Sequence, residues 1–293
     1  MQKTECRRRR PASCFILPSS FSRAFTLLEL LAVIAIMGII AAIALPTMNS
    51  LKPNVAAAAS RQLLDAVTHA RQLALSQRTT VYMVFVPPSF WTDSAYAYNS
   101  WTNGDQVAAT SLLDKQMTGY TYVSLRSIGD QPGVSHPQYL GPWRTLPQGA
   151  YIALEKFIPY NPPNLPPLVL QIYTNTPPSG PPAYRVFAFN TTTNIPFPSE
   201  TTPKASGARP YIALPYIAFD GMGQLVSGSS TRPELIPVTQ GSVGIPHNPD
   251  TKAPLQQPLA LREVPPGNTT NNFNLVYVDQ LTGRARIERT KVQ

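Results

Sequence analysis

The chain has 293 residues and a net charge of +9, and only 13% of its residues are charged, about half the usual share in soluble proteins. Its hydrophobic content of 43% excludes a fully disordered chain, and its length allows roughly two domains with a real core. Six basic residues, one acidic residue and both cysteines (Cys6 and Cys14) fall in residues 1–24. The net charge alone therefore does not indicate a nucleic-acid-binding protein, and thiol chemistry is excluded from residues 25–293.

An apolar run follows this basic segment. It extends from Phe25 to Leu45 and contains one ionisable side chain, Glu29. A bilayer-spanning helix needs about 20 apolar residues, so the run predicts a transmembrane helix. The Arg-rich flank places residues 1–24 in the cytoplasm and the chain after Pro46 outside it.

Two simpler readings of the run are a secretory signal cut near Ala42-Ile43-Ala44 and an uncleaved anchor. Signal cores span about 7 to 15 residues, fewer than this run has. Glu29 also argues against both, because a carboxylate inside a bilayer costs about 2.5 to 3.5 kcal/mol and marks a functional residue. The run holds no basic residue. A cut before Phe25 would create an α-amino group about one helical turn from Glu29.

The segment Ala24-Phe25-Thr26-Leu27-Leu28-Glu29 resembles the prepilin signature of type IV pilins and type II secretion pseudopilins. The resemblance implies that a prepilin peptidase cuts between Ala24 and Phe25 and methylates Phe25. It also implies that Glu29 neutralises the amino terminus of a neighbouring subunit during filament assembly, and that Pro46 kinks the helix. The family usually has Gly at the position of Ala24, so slower processing is one expected consequence.

An amphipathic helix is predicted after the span, within residues 46–79. Apolar residues recur there at spacings of three and four, with Arg61, Asp65, His69 and Arg78 largely off the stripe. We expect the stripe to pack on the protein's own sheet. Its members are Ala59, Leu63, Val67, Ala70 and Ala74.

A β-rich head is predicted for residues 80–293, with Pro-rich insertions at about 132–266. Of the 32 prolines, 26 lie between Pro132 and Pro266, which favours loops and edge strands over central strands. Short β-branched and aromatic segments separated by turn residues predict an antiparallel sheet. The predicted strands are 81–86, 120–125, 151–154, 168–173, 184–189, 211–219, 275–278 and 285–288.

Three segments of the head resemble the H-type minor pseudopilin, or FimT-like, domain. They are the helix-to-strand passage 69–85, the turn segment 217–224 and the ending 281–287. The resemblance implies an α+β, pilin-like fold. In that fold a long N-terminal helix, transmembrane in its first half, packs on a C-terminal antiparallel sheet or sandwich, here with long Pro-rich loops. A Gly-containing hairpin precedes the last strand.

These resemblances imply a minor pseudopilin or pilin subunit, assembled into a type II secretion pseudopilus or a type IV pilus-like filament. Before assembly it would be a single-pass inner-membrane protein with a cytoplasmic N-terminus and a periplasmic head. The implied partners are prepilin peptidase, other pilin or pseudopilin subunits and inner-membrane lipid. The alternatives are a DNA-binding minor pilin for DNA uptake and an exported, membrane-anchored protein unrelated to filaments.

The DNA alternative comes from Gly283-Arg284-Ala285-Arg286, followed by Arg289 and Lys291. It resembles the G-R-x-R motif with which FimT-like competence pilins hold DNA. On a strand, Arg284 and Arg286 would share one face and could meet successive phosphates. They could equally form the solvated face of the last strand, with Ala285 and Ile287 against the core.

No enzyme is expected, because the sequence lacks the G-x-S-x-G, Walker-type phosphate-loop and H-E-x-x-H motifs. The three histidines are His69 on the predicted helix and His136 and His247 in Pro-flanked loops. Asp130 and the Asp220-Gly221 step are candidate calcium ligands, but an Asp-Gly step between apolar runs is first a turn signal. No cofactor and no metal are expected.

Overall fold

The computed structural model describes residues 27–50, 55–127, 129–131, 133, 136–158, 170–172, 184–199, 211–227, 232–268 and 273–289. Within these ranges the side chains of residues 39–50, 170–172, 184–185 and 289 are not described. The chain divides into two compact units, residues 1–53 and residues 54–293. Helix α1 (Leu27–Ser50) belongs to the first unit, and it includes Pro46.

Helix α2 (Val55–Gln77) opens the second unit and carries the predicted apolar stripe. All five predicted stripe residues are completely buried. The off-stripe residues Arg61, Asp65, His69 and Arg78 are exposed, as the spacing predicts. The helix ends at Gln77 because the next residue, Arg78, has a left-handed backbone, with φ of 51°, that cannot continue a right-handed helix.

Two five-stranded sheets form most of the second unit, and every described strand pair is antiparallel. A short helix, α3 (Asn103–Thr110), lies between the first two strands. The strands are β1 (Val81–Phe85), β2 (Gly119–Ser124), β3 (Gln138–Tyr139), β4 (Arg144–Thr145), β5 (Ala150–Ile152), β6 (Leu170–Ile172), β7 (Tyr184–Val186), β8 (Asn194–Pro196), β9 (Tyr211–Ala213), β10 (Tyr216–Phe219), β11 (Glu234–Gly244), β12 (Ala260–Glu263), β13 (Asn274–Val278) and β14 (Ala285–Arg289).

The first sheet has the order β10-β1-β2-β3, with β4 also paired to β2. The second sheet has the order β12-β11-β13-β14, with β5 also paired to β11. Two further pairs, β6-β7 and β8-β9, stand outside these sheets. Helix α2 and both sheets contribute to one hydrophobic core, which includes Leu63 of α2, Met83 of β1 and Val276 of β13.

The first sheet is buried on both faces. Val81, Met83 and Phe85 of β1 face the α2 core, and the intervening Val84 joins a second core on the opposite side. Because successive side chains of a strand point to opposite faces, the near-continuous apolar run of β1 serves both cores. Chain from outside the sheet covers the second core, namely residues 90–113, 195–197 and 212–214, which supply Phe90, Trp91, Trp101, Phe197 and Leu214 among others.

Strand β11 corrects the prediction that prolines of the 132–266 region avoid central strands. β11 pairs with β13 on one side and with β5 on the other, and it contains Pro237. The Pro237 carbonyl accepts a hydrogen bond from the Ala153 amide (3.1 Å), one residue beyond the end of β5. Proline is tolerated because its missing N–H faces the position where the β5 ladder stops.

The sequence prediction also missed β3, β4, β8 and β12, and it joined β9 and β10 into one strand. Leu214 and Pro215 separate those two strands. The prolines at 159–169, 173–183 and 200–210 lie outside the described residues, and so does the predicted strand boundary at 168–169. The predicted helical region 46–79 contains the end of α1 and all of α2, and residues 51–54 between them are also outside the description.

The α2 stripe makes a testable contribution to the stability of the second unit. Leu63→Ala should lower the free energy of unfolding by about 2–5 kcal/mol, because it removes a fully buried side chain between two sheets. Leu281→Ala, at a position 73% exposed, is the matched control and should change it by no more than about 0.5 kcal/mol. Denaturant titration of the two variants checks this, and equal losses would contradict the packing described.

Candidate functional site

The start of α1 is apolar around its whole circumference. From Leu27 to Met37 its large hydrophobic side chains are between 46% and 83% exposed in the isolated chain. They are Leu27, Leu28, Leu30, Leu31, Val33, Ile34, Ile36 and Met37. A helix that is hydrophobic on every side is normally buried in protein or lipid, so this surface requires cover from outside the helix.

Glu29 is the one carboxylate on this surface, and it lies in the first turn of α1. A negative charge is favourable there because the unsatisfied N–H groups give a helix N-terminus partial positive character. The predicted cleavage residues Ala24 and Phe25 lie outside the described residues, and for Pro46 only the backbone is described. The cleavage, methylation, assembly and kink assignments therefore stay predictions.

Residues 20–45 match the family model of the prokaryotic N-terminal methylation motif. This match covers the predicted cleavage site, Glu29 and the apolar run. The motif indicates a type IV pilin-like or pseudopilin precursor that is processed by prepilin peptidase, and it is typical of membrane-anchored precursors. No curated protein and no solved structure is significantly similar to the chain.

Within the part of the chain that the structure describes, no helix combines the length and the apolar character needed to cross a membrane. The predicted span, residues 25–45, extends beyond the described side chains at both ends.

Arg71 of α2 brings together the three head segments that resemble the H-type domain. Its Nε donates to the Gly223 carbonyl (3.1 Å) and to the Thr282 carbonyl (2.8 Å). The first carbonyl lies in the turn after β10 and the second in the hairpin turn between β13 and β14. We call Arg71 and these two turns, which contain Gly223 and Thr282, the three-segment junction. The sequence prediction did not assign a role to Arg71, although it did single out the surrounding segments.

Asp220 and Asp279 each organise one turn of the three-segment junction. Asp220 Oδ1 accepts from the amides of Met222 (3.0 Å) and Gln224 (2.8 Å). Asp279 Oδ1 accepts from the amide (2.8 Å) and hydroxyl (2.7 Å) of Thr282, and these hydrogen bonds lower the pKa of Asp279. Both carboxylates thus take part in turn formation, and for Asp220 this agrees with the turn that the Asp220-Gly221 step predicts.

Arg284 and Arg286 are both exposed, but Arg286 has local partners. It forms an ion pair with Glu288 on the same face of β14, at 2.7 Å, and its guanidinium lies 4.0 Å from the ring centroid of the cross-strand Tyr277. Ala285 packs toward the α2 core. The Arg289 side chain and Lys291 lie outside the described residues, so DNA contact by this group stays a prediction.

The three histidines are exposed, and each contacts a different group. His69 packs edge-on against Tyr122, with ring centroids 5.1 Å apart. His136 Nδ1 lies 2.7 Å from Asp130, and hydrogen bonds from the His136 ring and backbone lower the pKa of Asp130 to about 2. His247 Nδ1 lies 2.7 Å from the Ile245 carbonyl. Among the described residues, no three His, Cys, Asp or Glu side chains converge as metal ligands would.

The hairpin turn of the three-segment junction depends on Gly283, which has a φ of +60°. A Cβ at this position would lie 2.0 Å from the Gly223 carbonyl oxygen. Gly283→Ala should therefore destabilise the second unit by at least about 1 kcal/mol, the minimum cost of a left-handed L-residue. Thermal unfolding measures the loss.

Gly104→Ala is the matched control for this substitution. Gly104 lies in α3, and a Cβ there would have its nearest neighbour at 4.0 Å. Since alanine is the better helix former, this variant should be as stable as the wild type or more so. A Gly283→Ala variant of unchanged stability would show that the two turns do not approach as described.

Proposed function

We propose that the chain is the precursor of a minor pilin or pseudopilin, a structural subunit rather than a catalyst. Prepilin peptidase removes residues 1–24 and methylates Phe25, and the mature subunit enters a type II secretion pseudopilus or a type IV pilus-like filament through α1. The match of residues 20–45 to the methylation motif is the observation that carries this proposal.

The exposed surface of α1 supports assembly through this helix. Its apolar residues cover every side of the first turns, so they suit lipid before assembly and the equivalent helices of other subunits afterwards. Glu29 adds specificity to this packing. Once the chain is cut, the Phe25 amino group of a neighbouring subunit supplies a cation. Glu29 can neutralise this cation in apolar surroundings only where the two groups meet, so the ion pair favours one register of the subunits.

The head supports a role in a specialised position. The second unit is enlarged by a second hydrophobic core on the outer face of the first sheet, to which residues 90–113, 195–197 and 212–214 contribute. A head enlarged in this way suits a subunit at a filament tip or in an initiating complex better than one repeated along the filament, where space between neighbours is limiting.

The DNA-uptake alternative receives less support from the geometry. The ion pair with Glu288 and the packing on Tyr277 already occupy the Arg286 guanidinium. A phosphate contact would have to compete with both.

The role of Glu29 is tested by Glu29→Ala in cells that carry the cognate filament machinery. Membrane insertion should be unchanged, because the substitution removes a charge from an apolar helix. Co-purification with the major subunit should fall at least tenfold, because the neighbouring amino terminus loses its counter-ion.

Asp65→Ala is the control, since Asp65 is an exposed acidic residue on α2. It should co-purify as the wild type does. Equal incorporation of Glu29→Ala and wild type would refute the proposed role of Glu29.

A further inference from the structure

Lys156 is a lysine in the interior of the second unit. It ends the short helical turn Leu154–Lys156 that follows β5, and its side chain is 1% exposed. Lysine is rarely buried to this extent without a partner. Its partner is Glu234, the first residue of β11, whose side chain is 12% exposed.

The Lys156 amine touches three groups. It donates to Glu234 Oε1 and to the Phe187 carbonyl (2.7 Å), and it lies 4.7 Å from the centroid of the Phe189 ring. The Lys156 carbonyl also accepts from the Phe189 amide (2.8 Å). Lys156 therefore joins the chain that leaves β5, the chain at residues 187–189 and the chain that enters β11.

Burial acts in the same direction on both members of the pair, because it disfavours the charged forms. It lowers the pKa of Lys156 and raises the pKa of Glu234, while their mutual attraction opposes both shifts. Arg232 also opposes the shift at Glu234, through its positive charge. Transfer of one proton across the contact converts the ion pair into a neutral amine and a carboxylic acid, with no proton taken from solvent.

We propose that Lys156 and Glu234 form an intramolecular amide bond in the folded chain. The lone pair of the neutral Nζ attacks the Glu234 Cδ, and the Nζ–Cδ bond forms. The Cδ–O bond to the hydroxyl then breaks, and the hydroxyl leaves with one amine proton as water. Atoms and charge balance in this condensation, and it requires no oxidant, reductant or cofactor.

The site supplies the conditions that such a condensation needs. The fold holds the amine against the carboxyl group, and well-oriented intramolecular reactions reach effective concentrations of about 10⁵–10⁸ M. The surroundings exclude the water that would reverse the reaction, because Phe157 and Phe189 belong to the adjacent hydrophobic core. The Arg232 charge, which favours the carboxylate, also favours the oxyanion of the tetrahedral intermediate.

The bond would close the chain between two residues 78 positions apart. This stretch contains many of the Pro-rich segments and strands β6–β10. A pulling force on the head would then be carried by the covalent bond between Lys156 and Glu234, and the residues between them would not be extended. This consequence is independent of which filament the protein enters.

Trypsin digestion of the denatured full-length protein, followed by mass spectrometry, tests the bond directly. An amide at Lys156 blocks cleavage there, and trypsin does not cut the Arg209-Pro210 and Arg232-Pro233 bonds. The expected product is one branched peptide joining residues 145–185 to residues 205–252, lighter than the sum of the two by one water molecule. Complete cleavage after Lys156, with both peptides linear, would overturn the proposal and leave a non-covalent ion pair.

Two controls show whether the folded geometry forms the bond. Lys156→Arg keeps a buried cation but offers no neutral amine, so the branched peptide should disappear and cleavage should occur after position 156. Wild-type chain recovered from inclusion bodies in denaturant, and never refolded, should also give only linear peptides. A branched peptide at full yield in that unfolded sample would contradict formation in the folded state.

Discussion

The structure depends on one constraint, which is that the apolar surfaces of helices α1 and α2 must be covered. Helix α2 meets the requirement inside the chain, since Leu63, Val67 and their neighbours on the stripe are completely buried against two antiparallel sheets. The first turns of α1 show the opposite state, with side chains such as Leu27 more than 80% exposed. One helix thus builds the head, and the other is the helix that the proposed function places in lipid or among other subunits.

The architecture of the head follows from how its sheets are covered. The second sheet lies on α2, and the outer face of the first sheet is covered by residues 90–113, 195–197 and 212–214. Arg71 links α2 to the turn after β10 and to the turn between β13 and β14. Lys156 links the chain after β5 to Phe187 and to Glu234 at the start of β11. Polar side chains therefore act as connectors between elements that apolar packing has already brought together.

Local patterns predicted part of this structure well. The α2 stripe and strands β1, β13 and β14 follow from spacing and composition, because their buried residues recur with the period of the element. Strand β11 was missed because Pro237 and two glycines interrupt its sequence, and the pairing that tolerates them comes from distant strands. The partners of Lys156 and Arg71 were missed for the same reason, since they lie 78 and more than 150 residues away in the chain.

The central claim is that residues 1–24 are a leader, removed to create an amino terminus beside Glu29. Mass spectrometry of the N-terminal peptide of the protein isolated from its native membranes tests this most directly. The account predicts a peptide that begins at Phe25 and carries one methyl group on its α-amine. A mature protein that retains Met1, or that begins near Leu45, would contradict it.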